Sequence, residues 1–417
     1  MGGKAVGAVA LACVLGLAAC GQGTPIFPTT SASVDGRQHP MEGATWTVLV
    51  YMAADTPREA EGLASLRELV DVGTGPGLYI VAQVDRAQGY SHAPLANLPD
   101  WTTTKRLLVL PGSVQELADL GEQDMGDAAT LSDFIAWGVR AYPADRYALV
   151  LWDHAGAWTA FGVDEDAPGA DGGRDALSLT ELQAGIDRGR SEAGLSQFAL
   201  IGFDAGLMAT YEVARVLSPH GEYLLASEEV TPGHGWDYGA LALLRQDPAS
   251  GPVVLGQRLL EGYGQRAQRE HTQDALTLSL TDLYALDDLT RAVGRFAALT
   301  PESNPTLAAM IVEARSSALE FGQSPDPTQA SHLVDLGSLT ARMAEQTPHQ
   351  SSLEVKMQEA LGRAVVARTQ GSQTSASTGL AIYFPPSLSR YDAGYDALPE
   401  VTEWQRFLRR FLHGLDR

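Results

Sequence analysis

Short, nearly continuous apolar runs alternate with amphipathic stretches from Trp46 to Ala226, and this alternation leaves the chain few folds. Trp46–Met52, Leu78–Val84, Arg106–Leu110, Tyr147–Trp152, Phe198–Phe203 and Tyr223–Ala226 read as strands. Arg58–Val70 and Thr130–Ala141 read as helices. Strands apolar at nearly every position are buried on both faces, which implies a parallel or mostly parallel sheet with helices on either side. After Gly251 the pattern turns mainly helical, with Ala275–Leu280 and Gly379–Phe384 as later strands. The second of these, running into Pro385, is expected to return to the sheet. The expected fold is α/β: one continuous domain over residues 46–417, ending in a helical C-terminal extension. Pro325-Asp326-Pro327 reads as a surface loop within it.

Composition excludes several functions. Hydrophobic residues make up 45% of the chain and charged residues 19%, the balance of a soluble globular protein. A net charge of −22 with no basic stripe repels phosphate, so nucleic acid is not an expected partner, whereas cationic ligands are favoured. Cys13 and Cys20 are the two cysteines, so nothing after residue 20 can supply disulfide, thiolate-metal or thiol-nucleophile chemistry. Lys4 and the apolar run Ala5–Ala19, too short to span a bilayer, lead into Leu17-Ala18-Ala19-Cys20. This segment resembles the lipobox of bacterial lipoproteins. The resemblance implies a signal peptide over residues 1–19, lipidation of Cys20 and several acyl chains holding the protein at a membrane. Gly21 stands where some lipoproteins carry a retention aspartate. An ordinary cleaved signal with an incidental cysteine is the other reading. Residues 20–45, rich in Gly, Pro, Ser and Thr, read as a flexible tether. The expected location is the bacterial cell envelope, as an exported, anchored lipoprotein.

Ligands of an open α/β sheet sit beyond the carboxyl ends of its strands. Three segments leave strands there: Asp153-His154-Ala155-Gly156-Ala157-Trp158, Asp204-Ala205-Gly206 and Ser227-Glu228-Glu229. His154 precedes Gly206 by 52 positions. Caspases place their histidine about fifty residues before the nucleophilic cysteine, on successive strand ends. Such chemistry needs a polarised thiol, an imidazole to manage protons and backbone N–H groups for the oxyanion.

The order of motifs resembles the clostripain family of cysteine peptidases over nearly the whole globular chain. Its landmarks are Trp46–Asp55, Met125-Gly126-Asp127, Leu151–His154, Phe203-Asp204-Ala205, Leu207-Met208-Ala209 and Ala226–Glu229, followed by Pro232-Gly233, Gly235–Tyr238 and Gly379–Pro385. The resemblance implies a caspase-like sheet, His154 as the catalytic histidine and Gly206 at the nucleophile position. It also implies that Asp204 contributes to a pocket for an Arg or Lys side chain, a role a carboxylate suits. Asp204 is equally placed to N-cap a helix opening at Leu207. Glu228 and Glu229 are candidates for lining the same cleft, or solvated strand-end residues. Two departures stand out. Glycine replaces the cysteine at 206, and the family's His-Gly-x-Gly-Trp pattern is here His154-Ala155-Gly156-Ala157-Trp158. Alanine at a position needing positive φ is strained by roughly 1–2 kcal/mol. Ala155 resembles the oxyanion donor of caspase-like enzymes, so that hole is altered too.

No metal-ligand set stands out. Calcium dependence occurs in the family, and the segment Gly162–Ser178 holds Asp164, Glu165, Asp166, Asp171 and Asp175, but its spacing does not match an EF-hand loop. It reads as a flexible acidic surface loop without a cofactor. Arg174 is the basic residue there at which self-cleavage would occur, and without a thiol none is expected. The leading reading is a lipid-anchored pseudopeptidase retaining a cleft for Arg or Lys side chains of peptides or proteins. The others are a peptidase for Arg or Lys bonds, rescued by a group such as Ser227 or with Gly206 an artefact, and a surface scaffold or binding protein.

Overall fold

Strand β1 (Trp46–Ala54) is buried along its whole length and divides its residues between two cores. Leu49, Tyr51 and Ala53 face one, Val48, Val50 and Met52 the other, as the two-residue period of a strand requires. The structure, a computed structural model, describes residues 45–168, 174–324, 330–346 and 352–415. Cys13, Cys20, the signal and tether up to residue 44, Gly169, Asp171, Gly172, Gly173 and Pro325-Asp326-Pro327 lie outside the described residues.

The remaining strands are β2 (Leu78–Arg86), β3 (Lys105–Leu110), β4 (Ser113–Asp119), β5 (Arg146–Trp152), β6 (Phe161–Pro168) and β7 (Arg174–Leu177), then β8 (Phe198–Asp204), β9 (Gly221–Ala226), β10 (Thr277–Asp282), β11 (Glu320–Phe321), β12 (Leu333–Asp335), β13 (Val365–Gln370) and β14 (Ala381–Tyr383). The main sheet runs β13-β10-β9-β8-β5-β1-β2-β3-β4. Its five central strands, β9 to β2, pair in parallel, and the pairings at both flanks are antiparallel. The helices are α1 (Glu59–Val72), α2 (Ala128–Ala141), α3 (Leu179–Ala193), α4 (Tyr211–Leu217), α5 (Ala242–Gln246) and α6 (Pro252–Arg269), then α7 (Leu286–Ala297), α8 (Pro305–Ser317), α9 (Leu336–Glu345), α10 (Ser352–Ala364) and α11 (Thr402–Leu415). α1 and α6 pack on the Val48 face through Leu63, Leu66, Leu255 and Leu259, and α2, α3, α4, α7 and α11 contribute to the core on the other. The mostly parallel, doubly covered sheet is the one the apolar runs imply. No helix of the described residues is long and apolar enough to cross a membrane.

Three expectations need correction. The late strand does not return to the main sheet: β14 joins a separate sheet of order β11-β12-β14. The place beside β10 belongs to β13, whose Gln370 pairs with Thr277. β14 is held instead by Glu212, buried on α4, whose Oε1 accepts from the Tyr383 N–H at 2.9 Å and the Tyr395 hydroxyl at 2.6 Å. The acidic segment after Phe161 is a hairpin, β6 with β7, rather than a flexible loop. No helix opens at Leu207; Thr210 caps α4 through its bond from Val213, so Asp204 is no N-cap.

Helices α2 and α3 meet at glycines. A Cβ on Gly189 would lie 2.7 Å from both the Ile135 Cβ and the Ser132 carbonyl. In an open helix Gly→Ala gains about 1 kcal/mol. Here we expect Gly189→Ala to cost about 1–3 kcal/mol through overpacking. Chemical denaturation of the two proteins measures this, and an alanine variant at least as stable as the wild type would contradict it.

Candidate active site

Parallel pairing of β5 with β8 sets Trp152 opposite Asp204. His154 and Gly206 each lie two residues further on, so the register carries both to the same carboxyl edge of adjacent strands. The His154 ring is exposed. Its backbone is fixed on both sides: the His154 carbonyl accepts from Gly162 at 3.2 Å, and the buried Asp153 accepts from the Val163 N–H at 2.7 Å. Desolvation, followed by the nearby Arg58 charge, lowers the imidazole below its ordinary range. Arg58 precedes α1, stacks over Trp152 at 5.5 Å and pairs with Glu61. A cation here opposes the imidazolium that a thiolate partner would need. Sequence reasoning missed Arg58, whose neighbourhood to His154 arises only when the ends of β1 and β5 are brought together.

The His154 loop is tightly built. Ala155 bridges Phe161, and the Gly156 N–H donates to the Ala160 carbonyl at 2.8 Å. Trp158 packs edge-on against Tyr383 at 5.4 Å and Tyr395 at 5.1 Å. Ala157 has φ +59°, the left-handed conformation glycine adopts without strain, whereas Ala155 is not among the positive-φ residues. Of the two Gly-to-Ala departures, the second is therefore the strained one.

At Gly206 the space for a side chain is taken. A Cβ there would lie 2.7 Å from the Val230 Cα, 2.8 Å from the Thr231 nitrogen and 3.1 Å from the Glu229 carbonyl oxygen. The segment after β9 is laced onto this strand end: Ala209 N–H donates to the Ser227 carbonyl at 2.9 Å and Leu207 N–H to the Glu229 carbonyl at 3.3 Å. Leu207 itself has φ +65°. Ser227, the candidate substitute hydroxyl, is buried and bonded to the Glu229 carbonyl and Thr277 hydroxyl, both at 2.8 Å. It is not aimed at His154.

The acidic candidates separate. Asp204 is 2% exposed; both its oxygens accept from the Trp236 N–H at 3.1 Å, and Oδ2 also accepts from the Tyr238 hydroxyl at 2.9 Å. Burial pushes it up to about 6, against these bonds. Glu228 is buried too. It accepts from the Ser377 hydroxyl and, at 3.2 Å, from the Gly379 N–H, and it faces Asp335. Desolvation and that second carboxylate hold Glu228 well above its ordinary range. Glu229 is half-buried, and its Oε1 accepts from Val230 at 2.8 Å and Gly322 at 3.2 Å. A cleft of about 710 Å³ opens beside Gly206, lined by Ala157, Trp158, Leu207, Val230, His332 and Tyr391 among others, and neither Asp204 nor Glu228 reaches it. The structure thus brings His154, Gly206 and the Glu229 segment together and holds Asp204 and Glu228 inside the cores.

The raised Asp204 has a consequence for stability. Unfolding returns it from about 6 to the ordinary 3.8, so the stability it contributes is full below pH 4 and lost as pH rises to 6. The difference corresponds to about 3 kcal/mol. Stability curves of wild type and Asp204→Asn should therefore converge or cross between pH 4 and 7, the asparagine variant lacking this slope. Parallel curves would refute the assignment.

Residues 50–410 match the family described as the clostripain family, Peptidase C11. Clostripain of Hathewaya histolytica is 26% identical over 223 residues, which cover 46% of this chain and 40% of that protein; the match thus spans about two fifths of the relative's length. Among solved structures, an inactive zymogen C11 protease from Parabacteroides distasonis superposes with a TM-score of 0.65 at 18% identity, over 87% of this chain and 98% of that one. A secreted C11 cysteine protease from Bacteroides thetaiotaomicron, in complex with an irreversible peptide inhibitor, gives 0.62 at 16% identity over 87% and 99%. The structural likenesses establish a shared fold, and the family match over most of its length establishes that the chain belongs to the clostripain family.

Proposed function

We propose that this protein is a catalytically degenerate clostripain-type peptidase, a pseudopeptidase that holds basic polypeptide segments without cutting them. One observation carries this reading: backbone of Val230 and Thr231 fills the space a nucleophilic side chain at Gly206 would need. A site that had lost only its sulfur would keep that space open. The engaged Ser227 hydroxyl, the Arg58 charge beside His154 and the strained Ala157 support the same conclusion. The preference for basic segments rests on the net charge of −22 and on Asp204, a carboxylate that would meet a guanidinium only with the Trp236–Tyr238 segment displaced from it. Anchoring at the bacterial envelope through lipidated Cys20 completes the proposal.

Two experiments test it. Wild-type protein should show no turnover of Arg- or Lys-amide substrates. Gly206→Cys should also stay inactive and lose about 1–3 kcal/mol of stability, because the new side chain must displace the Val230 segment. Wild-type turnover that vanishes in His154→Ala would overturn the pseudopeptidase reading. In the second, Trp236→Ala should strengthen binding of an Arg-containing peptide by opening the way to Asp204, and Asp204→Ala on that background should abolish the gain. Titration of a fluorescent peptide reads both, and affinities indifferent to Asp204 in either background would remove it from the binding site.

A further inference from the structure

The segment that fills the space at Gly206 is anchored by the residue just before it. Glu228 follows β9, and Glu229, Val230 and Thr231, next in the chain, press against Gly206. The Glu228 side chain meets the carboxyl of Asp335, the residue that ends β12 and N-caps α9. The two acids are 1% and 0% exposed, and each lies within hydrogen-bonding reach of the other. Their contact joins the end of the main sheet to the smaller one.

The groups around the pair are neutral. The turn before β14 supplies the Ser377 hydroxyl, the Thr378 hydroxyl and N–H, and the Gly379 N–H. β10 adds the Ser279 hydroxyl, engaged by the Gly379 carbonyl at 2.6 Å. α10 adds Gln358, bonded to the Gly337 carbonyl at 2.8 Å, while its buried acid Glu354 lines a groove further along α9 with Ala341 and Ala344. The neighbouring Glu229 carboxylate accepts from Val230 and Gly322. No cation pairs with Glu228 or Asp335 among the described residues.

Two carboxyls in contact out of water cannot both be ionised. The donors around them decide which one is. Asp335 accepts from the Ser338 N–H at 2.5 Å, the Thr378 N–H at 2.6 Å and the Thr378 hydroxyl at 2.9 Å, at the positive N-terminus of α9. Glu228 takes the Ser377 hydroxyl and, at 3.2 Å, the Gly379 N–H on Oε2 alone. Its Oε1 is buried and receives no hydrogen bond. An oxygen in that state is satisfied by carrying a proton and donating it. Asp335 is thus the anion and Glu228 the acid.

We propose that Glu228 and Asp335 share one proton, held on Glu228, and that this proton is a pH-sensitive latch keeping the Glu229–Thr231 segment seated on Gly206. With the proton present, Glu228 donates to Asp335. Once it leaves to solvent, two anions face each other in the interior and drive the end of β9 away. The segment's remaining hold is slight, since the Leu207–Glu229 and Gly322–Glu229 bonds are long, at 3.3 and 3.2 Å, and Val230 is 60% exposed. Desolvation first, then the Asp335 charge, raises Glu228 above its ordinary 4.5. Stability from a raised carboxyl is full below its unfolded value and lost as pH rises through its folded one, so the latch opens on the alkaline side. Buried glutamates titrate as high as about 8–9, which sets the range to search. The latch asks nothing of peptide binding, so its failure leaves the proposed function standing.

Hydrogen–deuterium exchange of the full chain, from about pH 5 to about pH 9 and corrected for intrinsic exchange, tests it. In the wild type, protection of the peptides covering 205–210 and 227–232 should fall about tenfold or more across this range, while α2 keeps its protection. Glu228→Gln places an amide donor where the proton stood, so its protection should stay level throughout. Asp335→Asn removes the facing charge and should level the profile too; it decides the matter if Glu228→Gln does not fold. A wild-type profile that is flat, or matched by α2, would overturn the latch. So would a folded variant that loses protection in step with the wild type.

Discussion

The candidate site's edge of the sheet inherits its arrangement from one parallel pairing, β5 against β8 with Trp152 beside Asp204. That register carries His154 and Gly206 to the same level. It also decides what happens to the acid next to them. Residues two apart on a strand share a face, so Asp204 points with Gly202 toward Trp236, while Phe203 and Ala205 point into the opposite core. The cleft lies beside the segment that continues from Ala205 through Leu207. Asp204 therefore faces the Trp236 side of the sheet, where Trp236 and Tyr238 enclose it.

The site's electrostatics follow from desolvation more than from ion pairing. Asp85, Asp153, Asp204 and Glu228 are all buried at or near this edge, and burial is the largest cause of the rise in each. They differ in what satisfies them. The Trp236 N–H and the Tyr238 hydroxyl serve both oxygens of Asp204, whereas Glu228, bonded by Ser377 and Gly379, Asp153, bonded by Val163, and Asp85 each keep one buried oxygen without a hydrogen-bond partner.

Much of this architecture was legible in the sequence because the central strands are apolar at nearly every position, and few other elements are. β13 escaped notice because Val365–Gln370 mixes apolar and polar residues and runs straight on from α10, so no turn marks its start. That omission misassigned β14, which looked free to fill the edge that β13 occupies. The hairpin β6–β7 was hidden by its acidic composition, since carboxylates inside a strand read as solvated loop until their burial is known. Within the site, His154 and Gly206 could be placed by motif order alone. The enclosure of Asp204 and the closeness of Arg58 could not, because tertiary packing joins segments far apart in sequence to make each.

The closeness of the Val230 backbone to Gly206 limits what residue 206 can be. Where a side chain is absent, neighbouring backbone is free to settle into the space, and hydrogen bonds such as that from Ala209 to Ser227 then stabilise the settled position. A side chain introduced at residue 206 meets main chain rather than a void. Two concerted changes would be needed, one to add the thiol and one to lift the segment. The packing makes glycine here a residue that the surrounding structure requires.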